Sequence, residues 1–267
     1  MKLKKIISCL EELSPVSYAE DWDNVGLLLG DEEQEIQHIM IALDATDDVV
    51  EQAIEQNVDL LLTHHPMIFQ ARKQINTHSV IGRRIWKLAT HQISCYAMHT
   101  NFDIKGGMAE LAAARLDLLD TVPLQVTVQE NGTSEGIGRV GILPEAMKVS
   151  EVAQVVKEKF GLKNVIVYGD AQKKVRNIAI SPGSGKSEIG FALQAGAELL
   201  ITGDIGHHEG IDAVDEGLII MDATHYGLEH IFVEFMTDYL HQFLTETDSK
   251  EAVHITPVDT GSPITVM

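Results

Sequence analysis

Ile39-Met40-Ile41-Ala42-Leu43, then Asp47 to Asn57, then Leu60-Leu61-Leu62-Thr63-His64-His65-Pro66 is the stretch whose reading decides the fold. Two short apolar runs, too brief for ordinary helices, flank a segment that mixes charged and apolar residues at helical intervals. A strand that is apolar throughout has no solvent face, so its sheet is covered on both sides, with much parallel pairing. The pattern recurs downstream. Sliding the chain by 139 positions sets Ile41 on Ile180, Ala53 on Ala192, Leu60-Leu61 on Leu199-Leu200 and Thr63 on Thr202 without a gap. A shorter echo pairs Ala97-Met98-His99-Thr100 with Met221-Asp222-Ala223-Thr224. The expectation is an α/β protein of two related, duplicated α/β domains with mixed, largely parallel sheets and a metal site at the cleft between them.

Working outward, Ile6, Ile7, Leu10 and Leu13 keep helical spacing until Ser14-Pro15 ends the helix. A short strand is expected within Trp22 to Asp31, a helix over Ser79 to Thr90, a strand over Ile93 to Met98 and a helix over Met108 to Leu116. Pro123, Asn131-Gly132 and Gly136 mark a connection. The expected division is therefore an N-terminal α/β half over 1–122, a connection over 123–138 and a C-terminal α/β half over 139–267, with room for the halves to intertwine. The second half opens with strand Val140 to Leu143, helix Val152 to Phe160, strand Val165 to Tyr168 and strand Ile178 to Ile180.

The 267 residues carry 40 Asp and Glu against 20 Lys and Arg, a formal charge of -20, with no basic run to offset it. Nucleic-acid binding is disfavoured, and an anionic substrate needs a local cation such as a bound metal. No apolar run approaches the ~18 residues of a membrane span. Glu11 and Glu12 interrupt an N-terminus that otherwise begins like a secretory signal, and two distant cysteines, Cys9 and Cys95, make neither a disulfide scaffold nor a thiolate site. The reading is a cytoplasmic protein.

His64 and His65 follow one expected strand, Asp103 follows the strand ending near Met98, and His225 follows the strand Leu218 to Met221. The carboxyl ends of strands are where open α/β sheets bind ligands. Pro66 biases His65 away from helix, so the pair is expected to be extended, with side chains pointing apart, each serving one of two adjacent ions. Glu229 shares a helix face with His225, one turn on, and can bridge two ions. Three imidazoles and two carboxylates suit zinc, iron, manganese or cobalt without selecting among them. Two such ions ~3.5–4 Å apart can share a hydroxide, which is hydrolytic chemistry on a small-molecule substrate. Taken singly, each motif is an ordinary turn, loop or solvated helical pair; it is their placement together at strand ends that makes a site.

Other features are weaker. Ser181-Pro182-Gly183-Ser184-Gly185-Lys186-Ser187 ends like a phosphate loop, but Ile180 stands where the first glycine belongs, so it reads as a strand-to-helix turn. His99 and His208 are the catalytic candidates, as proton carriers or supporting groups. His207 and Asp204 accompany them without an assigned role.

The sequence resembles the dinuclear-metal proteins called GTP cyclohydrolase 1 type 2, or NGG1-interacting-factor-3-like, over essentially its whole length. The resemblance rests on Trp22-Asp23-Asn24-Val25-Gly26-Leu27, Leu62-Thr63-His64-His65-Pro66, His99-Thr100-Asn101-Phe102-Asp103, Gly203-Asp204 with His208, and His225 through Glu229. It implies two divalent metals on His64, His65, Asp103, His225 and Glu229, two related α/β domains, and a toroidal homohexamer. The length matches the compact form that lacks a large middle domain. The cyclohydrolase label leaves metal storage, delivery or sensing open as the alternative to hydrolysis, and a structural role for the metals as a third reading.

Overall fold

The computed structural model describes residues 1–130, 132–247 and 253–267. In chain order the elements are α1 (Leu3–Leu13), β1 (Gly26–Leu29), β2 (His38–Ala42), α2 (Asp47–Glu55), β3 (Leu60–Thr63), α3 (Val80–Thr90), β4 (Ser94–Ala97), α4 (Thr100–Ile104), α5 (Met108–Arg115), β5 (Leu119–Glu130), β6 (Thr133–Lys148), α6 (Val149–Lys159), β7 (Ile166–Tyr168), β8 (Lys174–Ser184), α7 (Ile189–Gln194), β9 (Leu199–Gly203), α8 (His207–Asp215), β10 (Ile219–Asp222), α9 (His225–Glu229), α10 (Ile231–Glu246) and β11 (His254–Val258). They form two compact units, one of Met1–Lys105 with Phe232–Thr260, the other of Gly106–Ile231 with Gly261–Met267.

The first unit holds a five-stranded sheet in the order β1-β4-β3-β2-β11. β11, β2, β3 and β4 run parallel, and β1 closes one edge antiparallel. The whole of β3 and the last four residues of β2 are buried, as unbroken apolar runs require. Met40, Ala42, Leu61 and Cys95 pack against Val49, Val50 and Ala53 of α2 and Leu88 of α3. Helix starts follow their capping residues: Thr46 accepts from the Val49 N–H at 3.2 Å and Ser79 from the Gly82 N–H at 3.1 Å.

The second unit holds a six-stranded mixed sheet in the order β5-β6-β8-β9-β10-β7. Its centre, β8, β9 and β10, is parallel and its outer pairings are antiparallel. The duplication extends to register. Ile39 faces Leu60 and Met40 faces Leu61 in the first sheet, and Ile178 faces Leu199 and Ala179 faces Leu200 in the second, the same partners 139 positions on. β7 flanks β10 antiparallel as β1 flanks β4. The shorter echo needs one correction of register. Thr63 pairs with Ala97, and its counterpart Thr202 pairs with Asp222, so Ala97 corresponds to Asp222 rather than to Met221.

Of the stretch 123–138, expected as a connection, residues 123–130 belong to β5 and 133–138 to β6, which pair along most of their length. Its turn-forming residues have other uses there. Pro123 sits on an edge strand, where a missing N–H is tolerated. A Cβ on Gly136 would fall 1.8 Å from the Gln125 carbonyl oxygen, so this glycine allows close approach of two strands. Asn131, read as part of a turn, lies outside the described residues. The boundaries between units fall instead after Lys105 and around Ile231, because α10 and β11 return to the first unit, where β11 adds a parallel strand beside β2.

Candidate metal centre

In the first unit, β3 ends at Thr63 and the chain bends through His64 and His65. The bend is held by the His65 N–H donating to the Leu43 carbonyl at 3.0 Å and the Thr63 hydroxyl donating to the His65 carbonyl at 2.8 Å. The pair is therefore not extended, and its rings do not diverge: their centroids are 4.8 Å apart and tilted by 53°. His99, just past β4, brings a third imidazole, 5.3 Å from His64 and 5.5 Å from His65 between centroids. One ligand nitrogen from each of the three lies within 4.8 Å of the others. With ligand bonds of ~2 Å, that spacing suits one ion or two adjacent ions.

Each of these imidazoles is fixed through Nδ1. His64, fully buried, donates to the Met98 carbonyl at 2.7 Å, His65 to Asp44 Oδ1 at 2.8 Å and His99 to the Asp23 carboxylate at 2.9 Å. An Nδ1–H bound to a carbonyl or carboxylate sets the tautomer, leaves the lone pair on Nε2 and raises that nitrogen's basicity, the pattern metal-ligating histidines show. Asp103, in the single-turn helix α4, places Oδ1 3.7 Å from His64 Nε2. A carboxylate oxygen and an imidazole lone pair at that range both present negative charge, and a cation reconciles them.

Asp23 organises this corner. Its carboxylate accepts from the Thr100 N–H at 3.0 Å and the Thr100 hydroxyl at 2.6 Å, which fixes the start of α4, and from His99. Burial works to raise the Asp23 pKa, but His99 and the Thr100 donors outweigh it and hold it at about 2.

In the second unit, His225 opens α9 directly after β10. Its Nδ1 donates to Asp204 Oδ2 at 2.7 Å and its Nε2 lies 2.9 Å from Glu229 Oε2, one turn along the same helix. The helix start is fixed from below. Buried Asp222 accepts from the N–H groups of Thr224 at 2.8 Å and Ile205 at 2.9 Å, and Thr224 accepts from the Gly227 N–H at 3.1 Å. Glycines floor the site: a Cβ on Gly183 would fall 2.5 Å from Glu229 Oε1, and one on Gly203 2.5 Å from the backbone nitrogen of His225. The buried Glu229 carboxylate is seated against Gly183.

Two weaker motifs can be placed. The Ser181 to Ser187 stretch is a strand end and turn, as read; Lys186 pairs with Glu209, Gly183 makes room for α9 and Gly185 for the Thr202 side chain of β9. His207 and His208 open α8, exposed and edge-on to each other, and among the described residues His208 joins no group able to hold a metal. Sequence reading missed Asp23, Asp44 and Asp222. Asp23 stands within the Trp22 to Leu27 motif and Asp222 within the Met221 to Thr224 echo, but neither position carries a sign of its role there.

The model of the Duf34/NIF3 (NGG1p interacting factor 3) family matches residues 1–261. The chain belongs to the Duf34/NIF3 family. It is 38% identical over 235 residues to a GTP cyclohydrolase 1 type 2 homolog of Clostridium perfringens, covering 86% of this chain and 87% of that one. A Streptococcus pneumoniae protein of the same name is 35% identical and covers 91% of each. The solved structure of a Bacillus cereus protein related to NIF3 superposes with a TM-score of 0.92 at 25% identity, over 100% of this chain and 99% of that one. This Duf34/NIF3 chain thus shares the two-unit fold, and its histidine and carboxylate groups fit a divalent metal.

Proposed function

We propose that His64, His65 and Asp103 of the first unit act together with His225 and Glu229 of the second as ligands of two divalent ions, and that the protein is a metal-dependent hydrolase of a nucleotide or similar small molecule. The observation that carries this reading is the shared fixing of His64, His65, His99 and His225 through Nδ1, each to a carbonyl or carboxylate. Nitrogen and oxygen donors of this kind suit zinc, iron, manganese or cobalt. Bound there, the ions would supply Lewis acidity and an acidified water as nucleophile.

The chain's own residues do the rest. Asp44, Asp204 and Asp23 orient imidazoles, and His99 Nε2, with its tautomer set by Asp23, can take up a proton and return it to a leaving group. The resemblance further supports a homohexameric ring, and the sequence reading a cytoplasmic location; light scattering reading the mass of about six chains would agree with the ring, and a monomer would not. Among the described residues no helix is long and apolar enough to cross a membrane.

The test is turnover. Protein loaded separately with zinc, manganese, iron or cobalt is incubated with GTP, and opening of the guanine imidazole ring at C8 is followed by loss of the purine absorbance band. Turnover abolished by chelator and by His65→Ala supports the hydrolase. The charge of -20 favours one other reading, storage or delivery of metal, since such a surface concentrates cations. Rapid metal exchange with no turnover of GTP or other nucleotides would select it.

A further inference from the structure

Trp22 and Phe69 stand out against an aliphatic protein. Only 5% of the residues are aromatic, yet these two are 58% and 47% exposed and lie together, with ring centroids 5.8 Å apart and planes tilted by 57°. Both lie beside the His99 ring in T-shaped arrangements, at 6.1 and 6.4 Å between centroids. Neither ring is left to drift. The backbone next to Trp22 is anchored by Asp23 to His99 and Thr100, and Asn24 Nδ2 donates to the Ile68 carbonyl at 2.5 Å, joining the two loops beside the aromatic pair. A large apolar ring held in water costs the free energy that burial would have supplied, and two such rings fixed side by side beside an imidazole cluster form a surface suited to a flat partner.

We propose that Trp22 and Phe69 form a stacking platform for a planar heteroaromatic ring of the substrate, which delivers the rest of that molecule to the neighbouring histidines. The proposal rests on the hydrolase reading and deepens it by naming what holds the substrate's ring, a contact that the side chains make without a metal. Stacking is tolerant of ring identity because every heteroaromatic ring has a π face. The platform would therefore select planar rings as a class.

Trp22 can report on this itself. In a Trp86→Phe background it is the sole tryptophan, and its fluorescence is titrated with guanosine, adenosine and cytidine 5′-monophosphates, with ribose 5-phosphate as the ringless control. Titrations are run on metal-loaded and chelator-treated protein. The nucleotides should quench Trp22 in both states, at higher concentration once no metal offsets the phosphate charge, and ribose 5-phosphate should not. Phe69→Ala should weaken nucleotide binding roughly ten-fold. In parallel, calorimetric titration of Trp22→Ala should show a similar loss and Trp22→Tyr should restore most of the affinity. Metal content measured on each variant should stay at the wild-type value. No quenching by any nucleotide, or equal quenching by ribose 5-phosphate, overturns the proposal. So does a Trp22→Ala variant that binds nucleotide normally but loses oligomer mass, which would make the pair a subunit contact. Loss of metal binding with quenching intact would count against the metal reading alone.

Discussion

Four histidines are fixed by one device, and in every case the partner comes from elsewhere in the chain. Met98 is 34 residues from His64, Asp44 is 21 from His65, Asp23 is 76 from His99 and Asp204 is 21 from His225. The ligand types could be read from the sequence because they fall at strand ends; their orienting partners could not, because spacing carries no record of contacts made through the fold. Asp23 offers the clearest test at this scale. Its pKa of about 2 in the folded protein lies below the ~3.9 of an unfolded aspartate, so its contribution is complete above the unfolded value and is lost as pH falls through the folded one. The stability gap between wild type and Asp23→Asn, from urea unfolding, should therefore shrink by roughly 2 kcal/mol between pH 6 and pH 2. A gap that does not change with pH would show that the Asp23 charge is not what holds this corner. Cys95 supplies a second test: complete burial pushes its thiol up to about 12, so a thiol reagent at pH 8 should leave it unmodified until the protein unfolds. Fast labelling of Cys95 in the native protein would refute that.

Among the elements, the segment from Ser181 to Ser187 shows how a motif can be read correctly in shape and only partly in purpose. A strand-to-helix turn was legible from its glycines and from the missing first glycine of a phosphate loop. Its use as the floor beneath α9 was not, since that depends on Glu229 folding back onto Gly183 from 46 positions away. Gly183 has a φ of +81° and no room for a Cβ beside Glu229 Oε1. Gly183→Ala should cost about 1–2 kcal/mol from the left-handed backbone alone and should also lower metal content by displacing the carboxylate. Unfolding curves and elemental analysis read the two effects separately, and unchanged metal content would mean that Glu229 is not seated by this glycine. For α2, Thr46→Ala removes the acceptor of the Val49 N–H and should cost about 1 kcal/mol, against almost no loss in Thr46→Ser. Equal losses in both variants would point to the methyl group and not the cap.

Across the molecule, the repeat at 139 positions gave the most reliable guide, because apolar runs in paired parallel strands preserve both sequence offset and register. The shorter echo slipped by one residue, since Ala97-Met98 and Met221-Asp222 resemble each other only loosely and ladder pairing, which fixes the true register, leaves no mark in the sequence. The boundary between the units was hidden for a related reason. Turn-forming residues at Pro123 and Gly136 signal a break locally, whereas the strand pairing of β5 with β6 and of β11 with β2 joins distant segments. The proposed two-metal centre is tested most directly by metal content per chain. Native protein is passed through gel filtration without chelator and analysed for metals beside Glu229→Ala. Near two equivalents of divalent metal, falling in a variant that remains folded, is the predicted result. Protein that binds no metal, even after incubation with zinc, manganese, iron or cobalt, would contradict it.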